Sequence, residues 1–490
     1  MGANAAIETA AEFLNALLDM NAERRNGLED LTPDEIKAIF ERVQDARFER
    51  ASFTVSTSHD LQALIAYEDP ILATLAFRVL MPLAGEHNFF RDLSKRIVSA
   101  SRLRHLDLPS RPHALPYDHE LPAKPLGVLP SRVAWGLFSF GMILLIYTAN
   151  SAMKVSHDEL RSWGELAPLN RNWLGTTAAD DILKVPTSLL SFPVLDSDLA
   201  PRVQLIYFLT HMLSPLLIYT VEGYRIGRHG TILSLPIIFM IGMQVQGICK
   251  IAPLYALLSA FQSDQNPVDR PVRIDVVRSL VPALVLGFIV PTILMIAPTP
   301  NESRWQDWIQ VSPPLFSALT AAFSFVLGRR RRRLKGDEQS DRHPEWYSTD
   351  DVPILKSTYH LAFAAQATVH LATLAYTCFD PDLSPSKVFW RLPNPFKREW
   401  NLTTLSEMVF VILKYDLVLT VAAIASHNLY SVWELRRQGY ISTSRAMKAA
   451  LAVVLGQVFL GSGATWAGLW SWREDVISGL SVSHGGKASR

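Results

Sequence analysis

The sequence predicts an all-α fold, a polytopic transmembrane helical bundle of about eight spans preceded by a soluble helical region. Three observations predict it. Apolar residues make up 49% of the chain and charged residues only 19%, a balance that belongs to the membrane class. Long apolar runs recur, and roughly 20 residues of helix cross a hydrocarbon core of about 30 Å. Basic clusters, "GRRRRRLK" at 328–335 and "ELRRQG" at 434–439, flank such runs as cytoplasmic anchors do.

Residues 1–130 read as a cytoplasmic helical region ending in a linker. "LTPDEIKAIFERVQDARF" has Thr32 as N-cap, Pro33 at the first helical position and Glu35 three residues after the cap. Ile36, Ile39, Phe40 and Val43 then recur at helical spacing. The stretch 107–130 is proline-rich and extended, a domain boundary before a multi-pass domain over 131–475 and a polar tail at 476–490. The N-terminus lacks the early basic patch of a signal peptide, so an internal span directs insertion. Gly2 fits a myristoylation signal, but Ala6 stands where Ser or Thr is required.

The expected spans lie near 132–150, 202–221, 231–262, 279–298, 309–328, 354–378, 408–432 and 447–471. The third is too long for one straight crossing and contains Pro253, so it is a kinked helix or a tight hairpin. Placing both basic loops in the cytoplasm puts the triplets "NES" (301–303) and "NLT" (401–403) on the lumenal side, where glycosylation acts. A hairpin at 231–262, or a re-entrant equivalent, keeps the N-terminal region in the cytoplasm, and a single kinked span would place it in the lumen. The hairpin is favoured. Cys249 and Cys378 both fall in apolar runs and read as buried, inert thiols. A net charge of +1 and the lack of a basic, aromatic-interleaved face exclude a nucleic-acid partner.

Ionisable groups inside apolar runs are the candidates for chemistry, because each costs about 2.5–3.5 kcal/mol at mid-bilayer on the insertion scale. Asp416, Thr420, His427 and Glu434 lie along one helical face. His211, Ser214, Glu222 and Arg225 form a similar stripe, as do Tyr359, Gln366 and His370; Gln246 and Lys250 lie one turn apart. Two fragments, "VEGYRIG" (221–227) and "WELRRQG" (433–439), share the frame Glu-x-x-Arg-x-Gly after an apolar run. This frame either marks two helix ends flanking a shared polar pocket or is a repeated ion pair and glycine cap that stops a helix at an interface. Asp416 either works chemically or fixes helix packing. The histidines serve as interhelical hydrogen-bond partners or as part of a site, and Tyr207, Tyr255, Trp466, Trp470 and Trp472 as core or belt residues or as pocket walls. No Walker, Rossmann, HExxH, nucleophile-elbow or DDxxD pattern occurs, and the acidic pairs at 180–181 and 350–351 lie outside the spans.

"VEGYRIGRHG", "QVQGICKIAPLYALL", "YSTDDVPILKSTYHLAF" and "HNLYSVWELRRQGYI" together resemble the membrane-integrated terpene cyclases of fungal meroterpenoid clusters, of the macrophorin and ascochlorin sort, over about 131–475. The resemblance implies a metal-independent, cofactor-free enzyme of the isomerase or lyase type in the endoplasmic reticulum membrane. It would protonate a terminal epoxide or alkene on a farnesyl-type chain joined to a polyketide-derived head. It also implies Glu222 as the acid, shaped by Arg225 and His211, with Asp416 as cation stabiliser or second donor and Glu434 as the competing acid. Tyr255 and Trp466 would stabilise cations through their ring faces. Gln246, His370 and His427 would complete the pocket for a lipophilic prenylated substrate drawn from membrane lipid, with neighbouring biosynthetic enzymes as partners. A proton-coupled transporter using Lys250, Asp416 and the histidines, or a non-catalytic scaffold docking enzymes through 1–130, are the alternatives.

Overall fold

A computed structural model of the chain describes residues 2–24, 28–29, 31–81, 100–106, 116, 121–153, 190, 192–194, 198–262, 269–296, 312–335, 348–397 and 405–482. The glycosylation triplets, the acidic pair at 180–181 and most of the proline-rich stretch lie outside these residues. The chain divides into two compact units, Met1–Glu120 and Leu121–Ser481. Among the described residues all regular structure is helical, apart from one isolated bridge between Arg225 and Val272.

In the N-terminal unit α1 (Gly2–Glu23) pairs with α2 (Pro33–Ile65), followed by the short α3 (Pro70–Leu75). The expected capping box is formed: the Thr32 amide donates to Glu35 Oε2 at 2.8 Å and the Glu35 amide to Thr32 Oγ1 at 3.4 Å. Only half of the expected apolar stripe is buried. Ile39 and Val43 pack on Ala16, whereas Ile36 and Phe40 are 41% and 57% exposed, because a single neighbouring helix covers only a narrow seam. Glu8 joins the pair across the seam, accepting from Arg47 at 2.6 Å and Arg50 at 2.5 Å.

The larger unit begins with α4 (Val128–Ala152), an apolar helix that packs on the bundle through a thin face. Next come α5 (Leu199–His211) and α6 (Leu213–Gly223), one rod interrupted at Met212, where Pro215 cannot donate to the preceding turn. They are followed by α7 (Pro236–Gln246), α8 (Ile248–Phe261), α9 (Ile274–Leu284) and α10 (Val290–Ile296). Then come α11 (Ser312–Lys335), α12 (Val352–Phe379), α13 (Leu405–Arg437), α14 (Thr443–Phe459) and α15 (Ser462–Val482). Leu216, Tyr219, Met240, Leu280, Phe316, Tyr359 and Trp466 form its centre, each under 2% exposed. Among the described residues five helices are long and apolar enough to cross a membrane: Leu129–Ala152, Leu199–Gly223, Ile274–Ile296, Val352–Phe379 and Ser406–Arg437.

Of the three remaining long runs, 309–328 lies largely in the single helix α11, which is not among those five, and the other two are folded back on themselves. α7 and α8 meet at Gly247, whose φ of 82° is open to glycine and strained for other residues. Phe239 and Tyr255 then face each other with ring centroids 5.1 Å apart, and Arg228 reaches the Gln262 carbonyl at 2.7 Å, so the helices run antiparallel. At about 16 and 21 Å of length each helix is shorter than the roughly 30 Å of a hydrocarbon core, and the third run has the favoured hairpin shape. The run at 447–471, expected as one span, is also a hairpin: α14 and α15 turn at Gly461, φ 85°, and Arg445 stacks over Trp472 at 5.6 Å. A hydropathy run cannot distinguish these folds, because a glycine costs an apolar segment little of its apolarity.

Candidate active site

Glu222 closes α6, and three donors converge on one of its oxygens. Arg225 Nε lies 2.8 Å from Oε1, Trp470 Nε1 2.9 Å and Arg473 Nη1 3.0 Å. Oε2 has no hydrogen-bond partner among the described residues. Arg225 follows the helix end and is held there by the bridge to Val272 and by the Ile226 amide donating to the Pro271 carbonyl at 3.1 Å. Its other nitrogens donate to the Arg270 carbonyl at 2.6 Å and to Glu474. Arg270 in turn grips Asp351 with two bonds of 3.0 Å and reaches Glu474 at 3.5 Å. The result is an alternating buried ladder: Arg473, Glu222, Arg225, Glu474, Arg270, Asp351. Burial works against the Arg225 charge, but Glu222 and Glu474 beside it hold its pKa well above the ordinary value. Such a cluster is tolerable away from water only because each charge has a partner.

Trp470 ties this ladder to a cage of rings from five helices. Tyr219 of α6 stacks on Tyr255 of α8 at 3.8 Å, and Phe239 of α7 meets Tyr255 edge-on. Trp466 of α15 sets its edge against Tyr219 at 5.8 Å. His427 of α13 faces Trp466 at 5.8 Å, Trp470 at 5.6 Å and Tyr255 at 6.3 Å. Two of the cage's own polar atoms, Tyr255 Oη and Trp466 Nε1, are buried without a hydrogen-bond partner. Neither ring nitrogen of His427 has a hydrogen-bond partner among the described residues. Buried polar atoms in native proteins are nearly always paired, so these two orphans in the ring cage make it a candidate place for a polar guest.

Glu222, Arg225, Tyr255, His427 and Trp466 are thus brought together, and the other candidates lie elsewhere. Asp416 sits at the tip of the first hairpin, about 16 Å along α13 from His427, where Oδ1 accepts the Cys249 amide at 2.7 Å beside Gly247. Gln246 is at the same tip, 3.5 Å from Lys250 Nζ. His211 and His370 line the tip of the second hairpin with Tyr207. The Tyr207 hydroxyl lies 2.9 Å from His370 Nδ1, His211 Nδ1 lies 2.9 Å from the Tyr207 carbonyl, and His370 Nε2 lies 3.0 Å from the Val458 carbonyl. Glu434 is two turns past His427, paired with Arg437 and with Gln438 at 3.3 Å. Cys249 is buried, but Cys378 is exposed on α12, contrary to the expectation for both. Sequence reasoning missed Arg270, Asp351, Arg473, Glu474, Tyr219 and Phe239. A signal for part of this set stood in "WSWRED" (470–475), where Trp470, Arg473 and Glu474 share a helical face across the expected end of the last span.

The CtvD domain profile matches residues 128–478, which includes the cage and the ladder. The chain is 23% identical over 97% of its length to the FAD-dependent monooxygenase verC1 of Penicillium polonicum, covering 58% of that protein. It is 21% identical over 99% of its length to the FAD-dependent monooxygenase ntnA of Nectria sp, covering 56% of it. A shorter match, 29% identical over 34% of this chain and 50% of the relative, is to the terpene cyclase ctvD of Aspergillus terreus. The chain therefore spans little more than half the length of these curated relatives at most. No solved structure matches.

Proposed function

The chain belongs to the CtvD family, and we propose that it is an integral-membrane terpene cyclase of secondary metabolism, resident in the endoplasmic reticulum. Its substrate would be a meroterpenoid bearing a farnesyl-type chain that ends in an epoxide or alkene. The observation that carries this reading is the Glu222 carboxyl, with one oxygen fully engaged and the other free, against a ring cage holding unpaired polar atoms. Glu222 would pass a proton from Oε2 to the epoxide oxygen. As the C–O bond breaks, a chain alkene supplies the electron pair for the new C–C bond and leaves a ring-bearing cation. Tyr219, Tyr255 and Trp466 present π-faces to that cation. The terminating C–H proton would pass to His427, and its return to Glu222 restores the site, so the product is an isomer of the substrate. When Glu222 is protonated, Arg225 keeps its ion pair with Glu474. The names of the two longer relatives are compatible with an epoxide substrate, since alkene epoxidation is one of the reactions that flavin monooxygenases carry out.

The test is conversion of a farnesylated aromatic epoxide by microsomes containing the full chain. A cyclised product of unchanged mass, lost in Glu222→Gln at equal protein level, is expected. No conversion across a panel of such epoxides would overturn the reading. One observation favours proton-coupled transport as a second reading: a span followed by a broken helical hairpin occurs twice, and duplicated broken helices are a transporter device. Accumulation of labelled substrate in proteoliposomes, driven by a proton gradient and without chemical change, would select it.

A further inference from the structure

Outside the cage, a cavity of about 380 Å³ lies between the two helices of the second hairpin and α12. Its walls are apolar, with Phe363, Val453, Leu460 and Leu469 along its length, and Gly456 and Gly468 leave it open. Arg445 and Lys448 stand at one end, in the opening turns of α14, and Leu460 closes the other. From Lys448 to Leu460 is about 18 Å of helix, close to the roughly 15 Å depth of one leaflet's hydrocarbon. The Arg445 guanidinium stacks over Trp472, and neither it nor the Lys448 ammonium has a carboxylate partner among the described residues. Arg436 donates to Thr443 Oγ1 at 2.8 Å, so further positive charge gathers at the same end. An apolar slot one leaflet deep under unpaired cations complements a tail below an anionic head group.

We propose that this groove binds one anionic phospholipid, its phosphate held by Arg445 and Lys448 and one acyl chain laid between α14, α15 and α12. The proposal rests on the membrane reading given above, and alkaline carbonate extraction tests that reading separately: protein released from the membrane would sink it. The full chain is then reconstituted in nanodiscs of phosphatidylcholine with one-fifth phosphatidylserine, and the lipids that stay bound through detergent release are weighed by native mass spectrometry. The wild type should retain one phosphatidylserine, enriched about tenfold over its share. Arg445→Gln with Lys448→Gln should abolish the enrichment, and Ala452→Phe, which fills the groove and spares both cations, should displace the lipid. Unchanged enrichment in both variants, equal loss of the two lipids in the charge variant, or retention of a neutral prenyl compound instead would each overturn the proposal.

Discussion

Glu222 and Glu434 end their helices in the same way: each bonds the arginine three residues on, and each leads into a hairpin whose tip is a glycine at positive φ. They differ in what crosses over to meet them. The second hairpin returns α15 against Glu222, bringing Trp470 and Arg473 onto it and Glu474 onto Arg225. At the Glu434 end a backbone segment crosses instead, with the Ala123 amide donating to the Gly439 carbonyl at 3.2 Å and the Leu126 amide to Arg437 at 2.8 Å. Arg437 stays 26% exposed, against 4% for Arg225. The repeated frame stops a helix in both places, and at Glu222 a second helix also brings Trp470 and Arg473 onto the carboxylate.

The sharpest way to break this comparison is activity. Glu222→Gln should lower the rate of product formation by about 10²–10⁴-fold, the range of a lost acid–base group, whereas Glu434→Gln should change it little. Equal losses, measured per folded protein, would erase the distinction between the two ends. Stability should separate them next. Arg473→Met leaves the buried ladder one cation short and should cost about 3–5 kcal/mol, while Arg437→Met, at a side chain 26% exposed, should cost less, read from thermal unfolding in one detergent. The hairpin tips come third. Alanine at Gly247 or Gly461 should cost about 1–3 kcal/mol through backbone strain, and Gly461→Ala should cost more, because its methyl would press on the His211 and His370 rings.

The smallest effect is a control outside both repeats. Hydrogen bonds from Arg50, opposed by burial and joined by those from Arg47, hold the Glu8 carboxyl below its ordinary value of 4.5. A depressed acid stabilises above its unfolded pKa, and that contribution disappears as pH falls through the folded value. Amide exchange in α1 should accordingly speed up relative to Glu8→Gln at matched pH as the solution is taken below 4.5, with α13 unaffected.

The helices themselves were legible in the sequence, because apolar runs and the Thr32 capping box are local signals. The two hairpins were less so. Gly247 carried no visible mark within its run, and Gly461 was absorbed into an expected span. Helical spacing correctly put Asp416, His427 and Glu434 on one face, but one face of a long helix visits several depths, so the stripe serves a hairpin tip, a ring cage and a helix end in turn. The ladder was hidden for another reason: Glu222 and Arg473 are separated by 251 positions, and only the tertiary fold pairs them.

The alternation of that ladder also constrains how the protein can change. Six charges in strict plus-and-minus order sum to zero, and deleting any one leaves an odd, unmatched neighbour. Drift at these positions should therefore proceed by paired exchanges, an arginine and a carboxylate lost or swapped together. A lineage that abandoned the cage chemistry would shed the ladder two rungs at a time, beginning at its Asp351 end, where the carboxylate supports the Val272 turn and touches no ring of the cage.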